Sequence, residues 1–375
     1  MSRCRGCGSA ELCRVLDLGA VPAADDFPSA SEPVTAAESS HPLAMNLCGG
    51  CGLAQLADDD TNTAEPRGIE PQALRDQALD AVARVADSGW LRGTTVREFG
   101  SPHGGTWLPL LATRGYTPAR KADVVLDSFG IMHEPDQRLA FEQRAAATAG
   151  DGVLLLQFHS LLSIVEHRQW SGLRHGHFAY YSLTAIARLL AAAGMSVVTA
   201  WQFDLYGGTV LLAAVHGRVA PDAAVEAILR REREVGVTDP AAVGRLQSAA
   251  SNHAAALRDW LNAQAENGQS IYGYGATSRV AALFSMAGVR TPLIRAIADA
   301  SPAKQGRRIP GTDVAIIAPE QLVLAEPDAV LLMLPDLYDE VRRTYPGLEG
   351  RWRIDAMAGE GYPSVPARPL VPARS

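Results

Sequence analysis

The length, composition and charge of this sequence exclude several classes of protein. At 375 residues, the chain is longer than one ordinary domain and should fold as two or three, each burying its own core. Hydrophobic residues make up 47% of the chain and charged residues 20%, as in soluble globular proteins. The net charge of -7 forms no basic stripe, which argues against a nucleic-acid partner.

The sequence also gives no sign of a membrane span or an export signal. No uninterrupted apolar run approaches the roughly 20 residues that a transmembrane helix needs. The amino terminus, Met-Ser-Arg-Cys, lacks the apolar core of a signal peptide. We therefore expect a cytoplasmic protein with no membrane partner.

The amino-terminal segment contains all five cysteines, and four of them form two pairs. Cys4 and Cys7 are separated by two residues, as are Cys48 and Cys51. This knuckle spacing lets two sulfurs face one ion, and two knuckles supply the tetrahedral ligand set of a structural zinc site. A redox pair or free thiols are the alternative, although disulfides are uncommon in the cytoplasm. Cys13 lies outside the pairs and is predicted to be a small buried residue.

Local patterns predict the elements on either side of the second knuckle. Residues 16–19 and 41–43 indicate short strands and turns, and residues 58–71 indicate a polar loop. Apolar residues at helical spacing predict a helix over residues 72–89.

The next segment, residues 94–114, predicts a strand, a glycine turn and a helix. A nucleotide-binding sheet usually begins this way, because glycines let the backbone approach a ligand. A plain strand-turn-helix corner explains the same residues. Strands and helices then alternate, which predicts a parallel-type sheet covered on both faces. The predicted strands are 122–130, 152–158, 195–201 and 209–215, and the helices are 137–149 and 182–193.

Residues 173–182 hold two imidazoles and two phenols immediately before a predicted helix. His175, His177, Tyr180 and Tyr181 can donate or accept protons, as carbonyl or enol chemistry requires. We predict a site of proton transfer here. A surface loop with an aromatic anchor is the alternative interpretation.

The last third of the chain predicts a second sheet of nucleotide-binding type. A strand at 270–272 runs into a Gly-Tyr-Gly-Ala turn and then a helix, which together form a seat for an anion. The alternative is that the glycines only let helix and strand pack closely. The other predicted elements are helices at 222–234 and 241–266 and strands at 294–298 and 329–334.

The order of these elements resembles the nucleotide-deoxysugar C-methyltransferases, which use S-adenosylmethionine to methylate a carbon of a ketosugar. The resemblance covers most of the chain, and the order and spacing of several segments carry it rather than one motif. These segments are both cysteine pairs, Val-Arg-Glu-Phe-Gly-Ser at 96–101, Ile-Met-His at 131–133, residues 175–182, Tyr-Gly-Gly-Thr at 206–209, Tyr-Gly-Tyr-Gly-Ala at 272–276 and residues 299–312.

The resemblance implies an α/β fold in three parts. A small zinc-binding module spans residues 1–70, a shortened Rossmann-like domain of methyltransferase type spans 71–218, and a second Rossmann-like domain that binds the sugar nucleotide spans 219–375. Implied contacts to S-adenosylmethionine are Glu98, Gly100, Ser101, Gly104 and His133. Implied substrate contacts are Tyr206, Gly207, Tyr274, Thr277, Ser278, Arg279 and Lys304.

Two departures from the family pattern bear on the chemistry. Where the family has Tyr-His-Glu-His, this chain has Arg174-His175-Gly176-His177, so a phenol and a carboxylate are absent. Glu98 or Glu166 could supply that carboxylate from elsewhere. Six residues separate Tyr116 from Asp123, where the family has further strands and helices, so on the order of 40 residues are missing. The acidic residue that holds the cofactor ribose should be missing too, and binding of S-adenosylmethionine should be weakened or lost.

Three functions follow from this comparison. In the family's reaction, which serves deoxysugar and secondary-metabolite biosynthesis, a base enolises a nucleotide-linked ketosugar and the enolate takes a methyl group. Here His177 or His175 would be the base, and Tyr180, Tyr181 or Arg174 would hold the enolate oxygen. Without a methyl donor, the same pocket would act as a ketosugar epimerase, isomerase or dehydrating enzyme. The third possibility is a silent partner of another sugar enzyme. We predict the C-methyltransferase class first, as a monomer or homodimer.

Overall fold

The structure, a computed structural model, describes residues 3–61, 72–102 and 105–355. The described residues form two compact units: the first comprises residues up to 20 and 41–249, and the second comprises residues 21–40 and those from 250 onward. The predicted domain boundaries at residues 70 and 218 stay predictions. Within the described ranges, every helix is too short or too polar to cross a lipid bilayer.

Short strands and helices alternate along the first unit, as the sequence predicts. The helix predicted over 72–89 is confirmed as α1, whereas the helix predicted over 241–266 is interrupted at Gly244 between α7 and α8. In chain order the elements are β1 (Leu12–Val21), β2 (His41–Cys48), β3 (Ala54–Leu56), α1 (Gln72–Asp87), β4 (Thr95–Phe99), α2 (Leu108–Ala112), β5 (Thr117–Pro118), β6 (Ala122–Ser128), α3 (Gln137–Ala147), β7 (Thr148–His159), α4 (Leu161–Glu166), β8 (Ala179–Tyr180), α5 (Leu183–Ala192), β9 (Met195–Phe203), β10 (Thr209–His216), α6 (Ala223–Val235), α7 (Pro240–Val243) and α8 (Arg245–Glu266), whose last part belongs to the second unit.

The larger sheet of the first unit has the strand order β5-β4-β6-β7-β10-β9. The strands β5, β4, β6 and β7 are parallel, which confirms the α/β class. The strand β10 is antiparallel to both of its neighbours, so the sheet is mixed rather than purely parallel. The reason is the short connection at 204–208, because a connection of that length can only join β9 to β10 as a hairpin.

Helices cover both faces of this sheet. Alternate side chains of β7 enter two different cores: Leu154 and Leu156 pack with α3 and α5, whereas Val153 and Leu155 pack with α1 and α2. None of these four side chains is more than 1% exposed. Fully burying such a side chain contributes about 1.5–3 kcal/mol. The two cores therefore fix the edge of the sheet where the candidate site lies.

The smaller sheet, β1-β2-β3-β8, connects the cysteines to the segment that carries the histidines. Its strand β2 ends at Cys48, and β3 begins three residues after Cys51. In turn β3 pairs with β8, which places Ala54 opposite Tyr180. The amino-terminal module thus contributes backbone hydrogen bonds to the strand that follows His177.

The second unit contains a five-stranded parallel sheet of order β13-β12-β11-β14-β15, which confirms the second Rossmann-like fold. The strand order reverses at β11, the point where such sheets bind ligands. Its elements are β11 (Ile271–Tyr274), α9 (Ser278–Ala287), β12 (Ile297–Ala298), β13 (Ile316–Ile317), α10 (Pro319–Leu324), β14 (Ala329–Leu332), α11 (Tyr338–Thr344) and β15 (Trp352–Ile354).

An ion pair attaches the segment 21–40 to the rest of the second unit. The buried guanidinium of Arg308 donates to both carboxylate oxygens of Glu38, at 2.7 and 2.8 Å. This bidentate bond lowers the pKa of Glu38 from its ordinary value to about 2.

Candidate active site and metal centre

Four cysteine sulfurs meet beside the smaller sheet. The Sγ atoms of Cys4, Cys7, Cys48 and Cys51 all lie within 4.8 Å of one another, with 3.5 Å between Cys4 and Cys51 and 3.6 Å between Cys7 and Cys48. A tetrahedral zinc ion with sulfur bonds of about 2.3 Å requires sulfurs about 3.8 Å apart. The set therefore fits zinc with little adjustment. Four sulfur ligands leave no position for substrate, so the role of the metal is structural.

Cys13 was predicted to be buried, and this is wrong: the side chain is exposed. The strand β1 lies at the edge of its sheet, and its core-facing positions are Val15, Leu16, Leu18 and Val21.

The histidine loop, residues 173–178, lies at the edge of the larger sheet where β6 and β7 end. Its last residue, Phe178, donates its backbone N–H to the carbonyl of Met132 at 2.7 Å, and its carbonyl accepts from Leu56 at 3.2 Å. One bond reaches the segment after β6, and the other reaches the zinc-bearing module. Three separate parts of the chain thus fix the loop.

His133 and His177 are brought together, with ring centroids 4.4 Å apart in an edge-to-face arrangement. The Nδ1 of His133 lies 2.9 Å from the carbonyl oxygen of Gly176. A carbonyl only accepts, so neutral His133 carries its proton on Nδ1 and its lone pair on Nε2. The Nε of Arg174 lies 3.4 Å from the Nδ1 of His177. Since arginine only donates, neutral His177 carries its proton on Nε2.

His175 is 2% exposed and belongs to a second group of imidazoles. Its Nε2 donates to the carbonyl of Pro42 at 3.2 Å, and the ring of His41 lies 6.0 Å away, centroid to centroid. The Nδ1 of His175 has no hydrogen-bond partner among the described residues. Burial lowers the pKa of His175, and the negative charges of Asp59 and Asp60 oppose this shift. The ring is therefore neutral near pH 7.

Asp59 places a carboxylate against the backbone of Gly176. Its Oδ2 accepts the backbone N–H of Gly176 at 2.8 Å, and its Oδ1 accepts the hydroxyl of Thr61 at 2.7 Å. Asp60 lies beside it, with Oδ1 at 2.9 Å from the Nδ1 of His41. Sequence reasoning missed Asp59 because residues 58–71 have the composition of a polar loop. The available signal was the run of three aspartates at 58–60.

The two carboxylates suggested by the sequence lie elsewhere in the first unit. Glu166 is paired with Arg231, with Oε1 at 2.5 Å from a guanidinium nitrogen. Glu98, at the end of β4, accepts the backbone N–H of Trp107 at 2.7 Å and the hydroxyl of Thr106. The carboxylates of Glu166 and Glu98 are therefore both engaged in contacts away from the histidine loop.

The two tyrosines that follow the histidine loop, Tyr180 and Tyr181, make different contacts. The hydroxyl of Tyr180 accepts from the backbone N–H of Arg174 at 3.0 Å and lies 3.3 Å from the carbonyl of the same residue. Tyr181 is 1% exposed, donates to the side-chain oxygen of Gln137 and packs against Phe141 and Phe158. Burial raises the pKa of Tyr181 well above its ordinary value, so its hydroxyl stays protonated.

The implied cofactor residues lie where β4 and β6 end, at the reversal of strand order. There the loop after β6 turns back over the end of β4: a Cβ built on Gly130 would lie 2.9 Å from the carbonyl oxygen of Gly100 and 3.3 Å from that of Phe99. The side chain of Asp127 holds this turn by accepting from the backbone of Gly130 and Ile131 at 2.8 and 3.0 Å. The turn after β6 therefore packs against the backbone at the end of β4.

The neighbouring edge of the sheet, at β5, is short. The strand β5 has two residues, and β6 follows after Ala119, Arg120 and Lys121, so no carboxylate is available there for ribose hydroxyls. Guanidinium groups of Arg97 and Arg144 lie 4.7 and 4.2 Å from the ring centroid of Phe99. Gly104, another implied cofactor contact, lies outside the described residues.

The turn of Tyr206 and Gly207 lies at the same edge of the larger sheet, between β9 and β10. The ring of Tyr206 lies 5.9 Å from that of Phe129, centroid to centroid. Gly207 has φ +74° and would direct a Cβ into the amide of Gln169, so glycine is required there. These residues border the candidate site.

The anion seat predicted in the second unit has a buried cation beside it. Lys304 is 5% exposed, donates its Nζ to the carbonyl of Ala276 at 3.0 Å and lies over the ring of Phe27. The hydroxyl oxygen of Thr277, the N-cap of α9, is buried without a hydrogen-bond partner among the described residues. Ser278 and Arg279 begin this helix, whereas the ring of Tyr274 packs in the core. The seat combines a helix N-terminus, a hydroxyl and an ammonium group.

Two family models match the chain. One is described as a zinc binding domain and matches residues 4–62, and the other is described as a C-methyltransferase C-terminal domain and matches residues 204–351. The C-methyltransferase NovU of Streptomyces niveus is 25% identical over 382 residues, an alignment that covers 89% of each protein. The first match includes all four clustered cysteines, which identifies their metal as zinc.

Two solved structures are similar to part of the chain. Magnesium protoporphyrin IX methyltransferase from Synechocystis is 14% identical, and the match covers 40% of this chain and 90% of that one with a TM-score of 0.31. An S-adenosylmethionine-dependent methyltransferase from Clostridium acetobutylicum is 9% identical, with 38% and 92% coverage and a TM-score of 0.28. At these TM-scores, the likeness carries no argument about ligand or reaction.

Proposed function

This chain belongs to the C-methyltransferase family, and we propose that its reaction begins by removing a proton next to the carbonyl group of a nucleotide-linked ketosugar. The observation that carries this proposal is the contact between His133 and His177, whose ring centroids lie 4.4 Å apart. We assign one ring to accept a proton from the substrate and the other to donate one. Enolisation needs both a base at carbon and a donor at oxygen.

His133 is the proposed base. Its Nδ1 lies 2.9 Å from the carbonyl oxygen of Gly176, so the proposed transfer from the substrate carbon is to Nε2, an atom that is buried in this structure. The imidazolium that forms keeps that bond, which stabilises it after the transfer. A neutral imidazole is a suitable base near pH 7 because its ordinary pKa lies close to that value.

His177 and Arg174 are the proposed partners of the developing enolate oxygen. Arg174 donates to the Nδ1 of His177, and we assign the Nε2 of His177 to the substrate carbonyl. The guanidinium adds a positive charge beside the same ring. Donors fixed in a water-poor site stabilise a developing oxyanion without reorganisation.

Asp59, Tyr180 and His175 position the backbone of the histidine loop. Asp59 fixes the backbone of Gly176 between the two histidines, and Tyr180 fixes the backbone of Arg174. His175 anchors the loop to Pro42 in the zinc-bearing module. In this scheme, zinc acts on the reaction only through the strands that hold the loop.

The second unit supports a nucleotide-linked substrate. The helix N-terminus, the hydroxyl of Thr277 and the ammonium group of Lys304 are donors suited to phosphate oxygens. Lys304→Met should therefore weaken the binding of a nucleotide to the second unit, as measured by calorimetric titration.

Proton exchange in heavy water tests this proposal. A nucleotide-linked 4-ketosugar incubated with the zinc-loaded protein should gain deuterium beside the carbonyl, as seen by mass spectrometry. His133→Gln should slow the exchange by about 10²–10⁴-fold. The matched control is His216→Gln, a half-buried histidine at the far end of β10. Equal exchange by both variants would contradict the role of His133.

A further inference from the structure

Polar side chains end the apolar core that lies beneath α1. On this face of the larger sheet, the core includes Leu126 of β6 and, opposite it, Leu155 of β7. The next positions on the same face are Ser128 and Gln157, because side chains alternate between the two faces of a strand. Buried positions at the end of such strands usually carry apolar residues, so this polar pair calls for an explanation.

The side chains of Ser128, Gln157 and Gln77 form a hydrogen-bonded relay. The hydroxyl of Ser128 donates to Oε1 of Gln157 at 3.3 Å, and Nε2 of Gln157 donates to Oε1 of Gln77, on α1, at 2.9 Å. Gln157 is fully buried and Gln77 is 8% exposed, whereas Ser128 is partly exposed at the end of the sheet. The relay therefore connects the edge of the sheet with the buried face of α1.

The inner end of the relay carries a donor without an acceptor. The Nε2 atom of Gln77 is buried and has no hydrogen-bond partner among the described residues. An unpaired buried N–H is costly, and native proteins keep few of them. The direction of the relay in this structure therefore leaves it incompletely satisfied.

Reversing the relay pairs this donor. Rotation of both amide groups by half a turn exchanges the positions of their oxygen and nitrogen atoms. Nε2 of Gln77 then donates to Oε1 of Gln157, and Nε2 of Gln157 donates to the hydroxyl oxygen of Ser128. Gln77 keeps an unpaired carbonyl oxygen, which proteins tolerate better than an unpaired N–H. The hydroxyl proton of Ser128 now points away from the core and needs an acceptor there.

Two aromatic residues lie at the same end of the sheet as Ser128. Phe129 follows Ser128 directly, and its ring lies 5.9 Å from that of Tyr206, centroid to centroid. Both have left-handed backbone conformations, with φ of +59° and +57°, which bulky residues rarely adopt outside functional sites. The relay itself is uncharged and cannot offset the charge of an ionised ligand group. An uncharged oxygen on a sugar ring fits these features.

We propose that Ser128, directed by Gln157 and Gln77, binds a hydroxyl oxygen of the sugar ring and so determines which sugar the first unit accepts. The inference rests on the proposal that the substrate is a nucleotide-linked sugar, but not on its enolisation. In the bound state, Gln77 donates to Gln157, Gln157 donates to Ser128, and Ser128 donates to the sugar. An analogue without that hydroxyl group should bind about 3–10-fold more weakly.

A series of sugar nucleotides tests the role of Ser128. The full-length zinc-loaded protein is titrated in a calorimeter with UDP-linked and TDP-linked 4-ketosugars, and with analogues that each lack one hydroxyl group. One analogue should bind the parent about 3–10-fold more weakly than the complete sugar, and Ser128→Ala should bind the two equally. The matched control is Ser196→Ala, at the opposite end of the sheet, where the hydroxyl donates to the carbonyl of Gly217. It should discriminate as the parent does.

The variant Gln77→Glu tests the direction of the relay. A carboxylate only accepts, so Gln157 must turn its Nε2 toward residue 77 and hold the proton of Ser128 inward. Discrimination should therefore be lost at about pH 9 and return at lower pH, where the buried carboxyl group is protonated and can donate. Gln72→Glu, at an exposed position of the same helix, is the control and should show no such pH dependence.

The outcomes separate this inference from the enolisation. If Ser128→Ala discriminates as the parent does, or if neither ketosugar binds the parent, the assignment of Ser128 is overturned. Discrimination that Gln77→Glu retains at every pH overturns the role of the relay. Ser128-dependent discrimination without deuterium exchange contradicts the enolisation alone, whereas exchange without such discrimination contradicts this inference alone. Ser128→Ala alters a partly exposed side chain, so it decides the assignment even where Gln77→Glu does not fold.

Discussion

Replacing Asp127 with asparagine should destabilise the first unit by about 3–5 kcal/mol. The carboxylate accepts three hydrogen bonds, two from the backbone of Gly130 and Ile131 and one from Arg144. Asparagine can keep the two backbone bonds through its carbonyl oxygen, but it turns an NH₂ group toward the guanidinium. Glu134 approaches that guanidinium only at 3.4 Å and is 44% exposed, so it compensates weakly. The predicted loss of unfolding free energy is the cost of leaving the buried guanidinium of Arg144 without a negatively charged partner.

Thermal unfolding measures this effect. At 2–4 °C for each kcal/mol, the loss corresponds to a fall of about 6–20 °C in the transition of the first unit. Asp151→Asn is the matched control, because that carboxylate is exposed at the beginning of β7. A second variant, Asp127→Asn with Arg144→Met, removes both charges and should recover much of the loss. If Asp127→Asn shifts the transition no more than Asp151→Asn does, the ion pair does not hold the turn and the reasoning is refuted.

Three further predictions follow from the same contacts. Removing zinc with a chelator should lower the rate of deuterium exchange at least tenfold, and adding zinc back should restore it, because β3 holds β8 beside the histidine loop. Asp59→Asn should keep the bond to Gly176 but lower the pKa of His175 further, since the charge of Asp59 raises it; an upward shift in an NMR titration would contradict this. Glu38 has a folded pKa of about 2 against an ordinary 4.5 and so contributes about 3 kcal/mol above pH 5, which is lost as the pH falls toward 2. The stability difference between the parent and Glu38→Gln should therefore be large at pH 7 and small near pH 2.

Features encoded by nearby residues could be predicted from the sequence. The spacing of Cys4 from Cys7 and of Cys48 from Cys51 determines how two sulfurs face one ion, so the four-sulfur set followed from the chain alone. The helix α1 and the strand β6 were predicted for the same reason, since their apolar periodicity is local.

Features that depend on distant pairings could not be predicted. The contact between His133 and His177 requires the loop after β6 to meet the loop before β8. The bond from Gly176 to Asp59 joins residues that are 117 positions apart and depends on the pairing of β3 with β8. The periodicity of Asp59 and its neighbours indicates only a polar loop, because the ladder that orients them is formed by other segments.

The strand order separates the proposed proton-transfer residues from the shortened edge of the larger sheet. The shortened segment lies at the β5–β4 edge of the larger sheet, where only two residues pair with β4. The histidine loop follows β7, and His133 follows β6, on the opposite side of β4. Shortening an edge strand leaves the ladders among β6, β7 and β10 intact. The proposed proton-transfer residues His133 and His177 therefore keep the support of these ladders although the β5 edge is short.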